Sequence, residues 1–137
     1  MSYQIFFVLL QQKYIFIEMG KIVSVYKNGV DKAWFNSSTI VYAECIDKQD
    51  SLKEVKVVFK NGSEYSYYDV KVQDYLMFRE DASQGKALNK FIKGYEYKKS
   101  EEKRDLEQLN EEMDALLVQT QQILEEQKDL KSDTSPD

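Results

Sequence analysis

Two tyrosines spaced two apart, Tyr65 and Tyr67, and the lysines that follow them are the residues of this chain whose types and spacing could do chemistry. In an extended strand, residues i and i+2 point to one face, so the two rings could lie side by side as a stacking platform. A base stacked on an exposed aromatic ring gains about 1–3 kcal/mol. From Ser83 to Lys99 there are five lysines, Lys86, Lys90, Lys93, Lys98 and Lys99, against one acid, Glu96. Such a basic patch can meet phosphates, and Lys86 and Lys90 fall one turn apart if the stretch is helical. Two plainer readings stay open beside these. A lysine-rich loop can be solvated surface, and the two tyrosines can be core residues under a helix, with Tyr68 facing outward.

Other chemistries are restricted by what is missing. The 137 residues contain no histidine and a single cysteine, Cys45. This removes histidine acid/base work, histidine triads and nearly all zinc sites. Cys45 sits in Ile40-Val-Tyr-Ala-Glu-Cys-Ile46 between acidic neighbours, where it reads as a small strand residue rather than an activated thiol. The carboxylates and tyrosines form no grouped acid/base motif, so the reading is a protein that is not an enzyme, with no cofactor and no metal. One cysteine cannot make an internal disulfide, which fits a reducing, cytoplasmic setting.

The elements that must position these residues are strands first. The chain is rich in aromatics, with ten tyrosines and seven phenylalanines, mostly in runs of strand character. Ile5–Leu10 and Tyr14–Ile17 are apolar runs too short to span a bilayer and read as two strands or one hairpin. An alternative start at Met19 would make residues 1–18 an artefact of gene prediction. Asn28-Gly29 predicts a hairpin turn, Asn36–Thr39 a loop, and Ile40–Ile46 a strand. Lys53–Phe59 and Glu64–Val70 form a strand pair about Asn61-Gly62. Val70–Ala82 shifts to helical periodicity, with Val72, Tyr75, Leu76 and Phe78 on one broad face and Asp69 placed to cap it. Gly85 ends that helix, and Ala87–Ile92 reads as a second short helix closed by Gly94.

The C-terminal third differs in kind. Residues 101–137 hold 4 Lys+Arg against 12 Asp+Glu, a net charge of −8, whereas the rest of the chain is net +3. Leu106, Leu109, Met113, Leu116, Thr120, Ile123, Gln127 and Leu130 recur at 3-4 spacing, the a/d pattern of a coiled coil. Ser100 is placed to cap its first turn. The stripe predicts pairing between chains through Leu106, Leu109, Met113, Leu116, Ile123 and Leu130, and hence a homo-oligomer. Packing back onto the body is the competing expectation, because Leu117 and Leu124 widen the stripe. Ser132–Asp137 has the composition of a disordered tail. The fold class expected is α+β: a small antiparallel β-meander covered by one or two short helices, followed by a long coiled-coil-like helix. The chain divides into residues 1–34, a hairpin extension; 35–99, a globular domain; 100–131, an amphipathic helix; and 132–137, the tail.

Taken in order, Asn36-Ser-Ser-Thr-Ile40, Phe59-Lys-Asn-Gly62, Tyr65-Ser-Tyr67, Asp69-Val70, and Ser83-x-Gly-Lys86 with Asn89, Ile92, Gly94 and Tyr97 resemble the KTSC domain. That family is named for its occurrence at the C-terminus of some lysyl-tRNA synthetases and also forms small bacterial and phage proteins. The resemblance spans Phe35 to Lys99. It implies RNA or nucleotide binding, with Tyr65, Tyr67, Lys86, Asn89, Lys90 and Lys93 as ligand-binding residues. The charge departs from that expectation, since residues 35–99 hold 11 Lys+Arg and 10 Asp+Glu, net only +1, and strong nonspecific nucleic-acid binders carry more. Two alternatives stand: a structural or protein-interaction oligomer built on the C-terminal helix, and a phage-type sponge that sequesters a nucleotide signal. No membrane partner is expected.

Overall fold

A computed structural model describes residues 5–10, 13–18, 22–48 and 52–133, with side chains for 22–48 and 52–127. Eight strands form one antiparallel sheet in chain order: β1 (Ile5–Leu10), β2 (Lys13–Glu18), β3 (Val23–Lys27), β4 (Val30–Trp34), β5 (Ile40–Asp47), β6 (Leu52–Phe59), β7 (Glu64–Lys71) and β8 (Tyr97–Lys99). The α+β meander read from the sequence is the observed architecture. Both Asn-Gly pairs turn the chain. Asn28 and Gly29 adopt φ of 52° and 78°, and Gly62 adopts 91°, conformations that asparagine and glycine tolerate best.

Both faces of the sheet are covered, which explains why its middle strands are apolar on consecutive residues. On one face Ala33, Phe35, Ala43, Cys45, Val55, Val57 and Tyr67 pack under two short helical segments, against Tyr75, Phe78, Leu88 and Ile92. These segments are α1 (Val72–Glu80) and α2 (Gln84–Ala87), the latter running on into a π-helical turn, Leu88–Ile92. On the other face Val23, Val25, Trp34, Tyr42 and Val58 pack against Leu109 and Leu116 of the long helix α3 (Leu106–Asp133). Trp34 and Tyr42 rings meet at 5.0 Å, and the Trp34 indole Nε1 donates to the Leu109 carbonyl at 3.0 Å.

Several expectations change here. The stripe read as a coiled-coil seam is spent within the chain: Leu109 and Leu116 are buried in the second core, with Leu106, Met113 and Leu117 packed beside them. Ile123 is half-buried, and the Leu130 side chain lies outside the described ones. Thr120 is fully buried and its hydroxyl donates to the Leu116 carbonyl at 2.8 Å. Ser100 does not cap this helix. Its N–H pairs with the Glu64 carbonyl, while the Asp105 carboxylate accepts from the Gln108 N–H at 3.2 Å. Ser132 and Asp133, assigned to a disordered tail, continue α3, and residues 134–137 lie outside the described set. The segment before α3 is fastened by Arg104, which donates to Glu64 at 2.5 Å and to Glu44 at 3.2 Å and lies 5.3 Å from the Tyr42 ring centroid.

Helix α1 buries only Tyr75 and Phe78, leaving Val72 and Leu76 exposed. Nor does Asp69 cap it: Lys71 occupies the cap position without a side-chain cap bond. The Tyr95 hydroxyl instead ties down the start of the helix, accepting from the Lys71 N–H at 3.3 Å and donating to Asp74. Asp69 is instead a strand residue with φ of 56°, at a register irregularity between β6 and β7. Left-handed backbone costs an L-residue about 1–2 kcal/mol, least for Asp and Asn. Valine, favoured at ordinary exposed strand positions, is therefore expected to be the destabilising choice here. Asp69→Val should lose about 1–2 kcal/mol in urea denaturation while Asp69→Gly is tolerated; a valine variant as stable as the glycine one would contradict this.

Candidate functional site

The Asn61-Gly62 turn returns the chain along β6 and places β7 between β6 and the edge strand β8. The register sets Tyr65 opposite Lys99 and Tyr67 opposite Tyr97. Alternation then brings Tyr65, Tyr67, Tyr97 and Lys99 to the same face. Beside this strip the chain crosses through Ser83, whose Oγ accepts from the Lys86 N–H, and enters α2. The turn that follows widens to a π-helix, with the Lys93 N–H reaching the Leu88 carbonyl at 2.8 Å. Such widened turns recur at functional sites because they re-aim side chains. Here Asn89 and Lys93 line a cleft beside the sheet.

Together these elements enclose a cleft of about 330 Å³ lined by Thr39, Phe59, Tyr65, Tyr67, Gly85, Leu88, Asn89, Lys93 and Tyr97. Phe59 meets Tyr65 edge-on at 5.4 Å. Tyr97 stands over both other tyrosines, its ring centroid 5.9 Å from Tyr65 and 5.8 Å from Tyr67, and is 61% exposed. The Lys99 Nζ lies 5.8 Å from the Tyr65 ring, a cation held on the aromatic strip. Gly85 lies on the cleft wall: a Cβ there would come within 3.2 Å of the Thr39 Oγ1, so a side chain would have to push that hydroxyl back by a few tenths of an ångström.

Of the six residues read from the sequence as ligand-binding, four line this cleft: Tyr65, Tyr67, Asn89 and Lys93. Lys86 and Lys90 do not; both are exposed elsewhere, Lys90 with its Nζ 5.2 Å from the Phe91 ring. Tyr65 and Tyr67 share a face as expected, but they do not form an open platform, because Tyr67 is 4% exposed and Tyr65 half-buried. Burial, then the neighbouring Tyr65 and Tyr97, push the Tyr67 hydroxyl above its ordinary range, so it remains a neutral donor. The exposed ring is Tyr97. Sequence reasoning passed over it as a site residue, although Tyr95-Glu-Tyr97-Lys-Lys99 carries the alternation of a short strand.

Two buried titratable groups outside the cleft serve the fold. Asp31, buried, accepts from the Tyr75 hydroxyl at 2.6 Å and from Arg79 at 2.9 Å, tying α1 to β4. Burial pushes the Cys45 thiol up to about 12, with Asp31 adding to the effect, so it stays protonated at neutral pH. Among the described residues no group of three or more His, Cys, Asp or Glu could hold a metal ion. No helix among them is long and apolar enough to cross a membrane.

No curated protein and no solved structure gives a significant match to this chain. One family model does match, over residues 49–97, a segment that carries the tyrosine strip, both short helical segments and the first residue of the edge strand. Strands β1 to β5 and helix α3 lie outside that match. The aromatic cleft is thus built almost wholly by the segment, residues 49–97, that matches the KTSC domain model.

Proposed function

We propose that this chain is a non-enzymatic, cytoplasmic binding module that takes RNA or a nucleotide in the aromatic cleft. The observation that carries this reading is the exposed Tyr97 ring over the Tyr65–Tyr67 strip, with Lys93 on the wall and Lys99 on the strip. An aromatic face suits any base, the two ammonium groups suit its phosphate, and the Asn89 amide offers both a donor and an acceptor to a base edge. Sequestration of a free nucleotide would use the same cleft. Assembly through the Leu106–Leu116 stripe is not needed for this reading, because that stripe already covers the chain's own sheet.

The test is a titration with single-stranded RNA and with a nucleoside monophosphate at low salt. Tyr97→Ala should weaken binding by about 1–3 kcal/mol and leave the thermal midpoint nearly unchanged, since the ring is mostly outside the core. If Tyr97→Ala binds as tightly as the parent, the cleft is not the site.

A further inference from the structure

We infer that the cleft accommodates one unpaired nucleotide, either free or at an accessible point in an RNA strand, and does not track a polynucleotide. The inference rests on the proposed function and narrows its ligand. Three observations carry it: ring spacing, cavity size and the placement of lysines.

Inserting a base between two aromatic rings needs two stacking intervals, each about 3.4 Å, with the rings nearly parallel. Tyr97 lies 5.9 Å from Tyr65 at 55° and 5.8 Å from Tyr67 at 40°. Neither pair opens a slot, so among the described residues of the cleft stacking falls to the exposed side of Tyr97. The cavity beside it, about 330 Å³, stands near the lower end of the roughly 300–1,000 Å³ of small-molecule sites. Of the five lysines between Ser83 and Lys99, only Lys93 and Lys99 are on the cleft and its aromatic strip. Lys98 alternates to the opposite face, where it lines a separate groove with Lys56, Ser66 and Tyr68, and Lys86 and Lys90 do not line the cleft. Two ammonium groups serve one phosphate or two neighbouring ones. A base stacked within a duplex cannot turn its face to Tyr97, so the nucleotide must be unpaired.

The experiment compares adenosine monophosphate, a single-stranded adenine decamer and a blunt RNA duplex by calorimetry over a fourfold range of salt. For the decamer, two lysine–phosphate contacts predict a slope of log Kobs against log salt of about −1.4, whereas five would give about −3.5. Lys93→Gln and Lys99→Gln should each flatten the slope by about 0.7, while Lys86→Gln and Lys90→Gln leave it unchanged. The decamer should exceed the monophosphate by at most the roughly tenfold its equivalent positions supply, or about 1.4 kcal/mol. The duplex should bind weakest. A decamer preference of about a hundredfold, a slope near −3.5 or equal binding of the duplex would overturn the inference and leave the cleft as an RNA site. Absence of binding by all three ligands would overturn it together with the proposed function.

Discussion

The double variant Leu109→Ala, Leu116→Ala is expected to lose most of the folding stability of the protein. Each side chain is nearly or fully removed from water, with 2% and 9% exposure, in the core that Val23, Val25, Trp34, Tyr42 and Val58 form on the second face of the sheet. Truncating a buried leucine to alanine costs about 2–5 kcal/mol through lost transfer energy and the cavity left behind. Two such losses approach the whole of a typical domain's stability, about 5–15 kcal/mol. Urea denaturation should show a collapsed midpoint, and Val118→Ala, at a 56% exposed position of the same helix, should shift it hardly at all. Removal of all residues after Ser100 would bare the same surface, so it should yield an aggregating fragment rather than a soluble monomer. A double variant within about 1 kcal/mol of the parent would mean that α3 is not docked on the sheet in solution.

Asp31→Ala is expected to produce the largest loss from any single polar substitution. Its carboxylate receives the Tyr75 hydroxyl on one oxygen and Arg79 on the other, at 2.6 and 2.9 Å. Tyr75 is 1% exposed, and its hydroxyl is held far above its ordinary range by burial and then by Asp31. Removing the carboxylate strands that hydroxyl and takes from the guanidinium one of its anions, while Glu80 still pairs with Arg79 at 2.8 Å. Breaking a buried pair from one side costs about 3–5 kcal/mol, and the retained Glu80 contact places the loss near the lower end. Asp31→Asn keeps an acceptor for Tyr75 and should lose less. Equal stability of the alanine variant and the parent would show that α1 is held by Phe78 and Tyr75 packing alone.

The parts legible in the sequence were those encoded locally. Asn28-Gly29 and Asn61-Gly62 name their turns through the backbone they tolerate, and alternation in β6 and β7 names the strand pair. The destination of α3 was not local information. A 3-4 repeat of leucines describes an apolar stripe, and the same stripe serves a partner helix or the chain's own sheet. The deciding signal lay elsewhere, in Ile40-Val-Tyr-Ala43 and Val57-Val-Phe59, where consecutive apolar residues require cover on both faces. At the cleft, Tyr65 and Tyr67 were found by their spacing. Tyr97 matters because it stands opposite Tyr67 across a strand pair, which local spacing does not encode, and the one-turn spacing of Lys86 and Lys90 does not say which surface they face. The π-turn, which decides that Asn89 and Lys93 face the cleft, has no compositional mark.

The hydrogen bond from the Trp34 indole to the Leu109 carbonyl joins residues 75 positions apart, and this sets an order of events during synthesis. At about 5–20 residues per second, the ribosome needs about 4–15 s to deliver Leu109 after Trp34. During that interval the strands beneath α3 are made and can pair, and near its end the segment 49–97 can close over its helices, while Trp34, Tyr42 and Val58 still face water. The nascent chain therefore passes through a half-covered sheet with an adhesive surface, and long-range closure of this kind is slow. Yield from the ribosome should depend on how quickly α3 arrives.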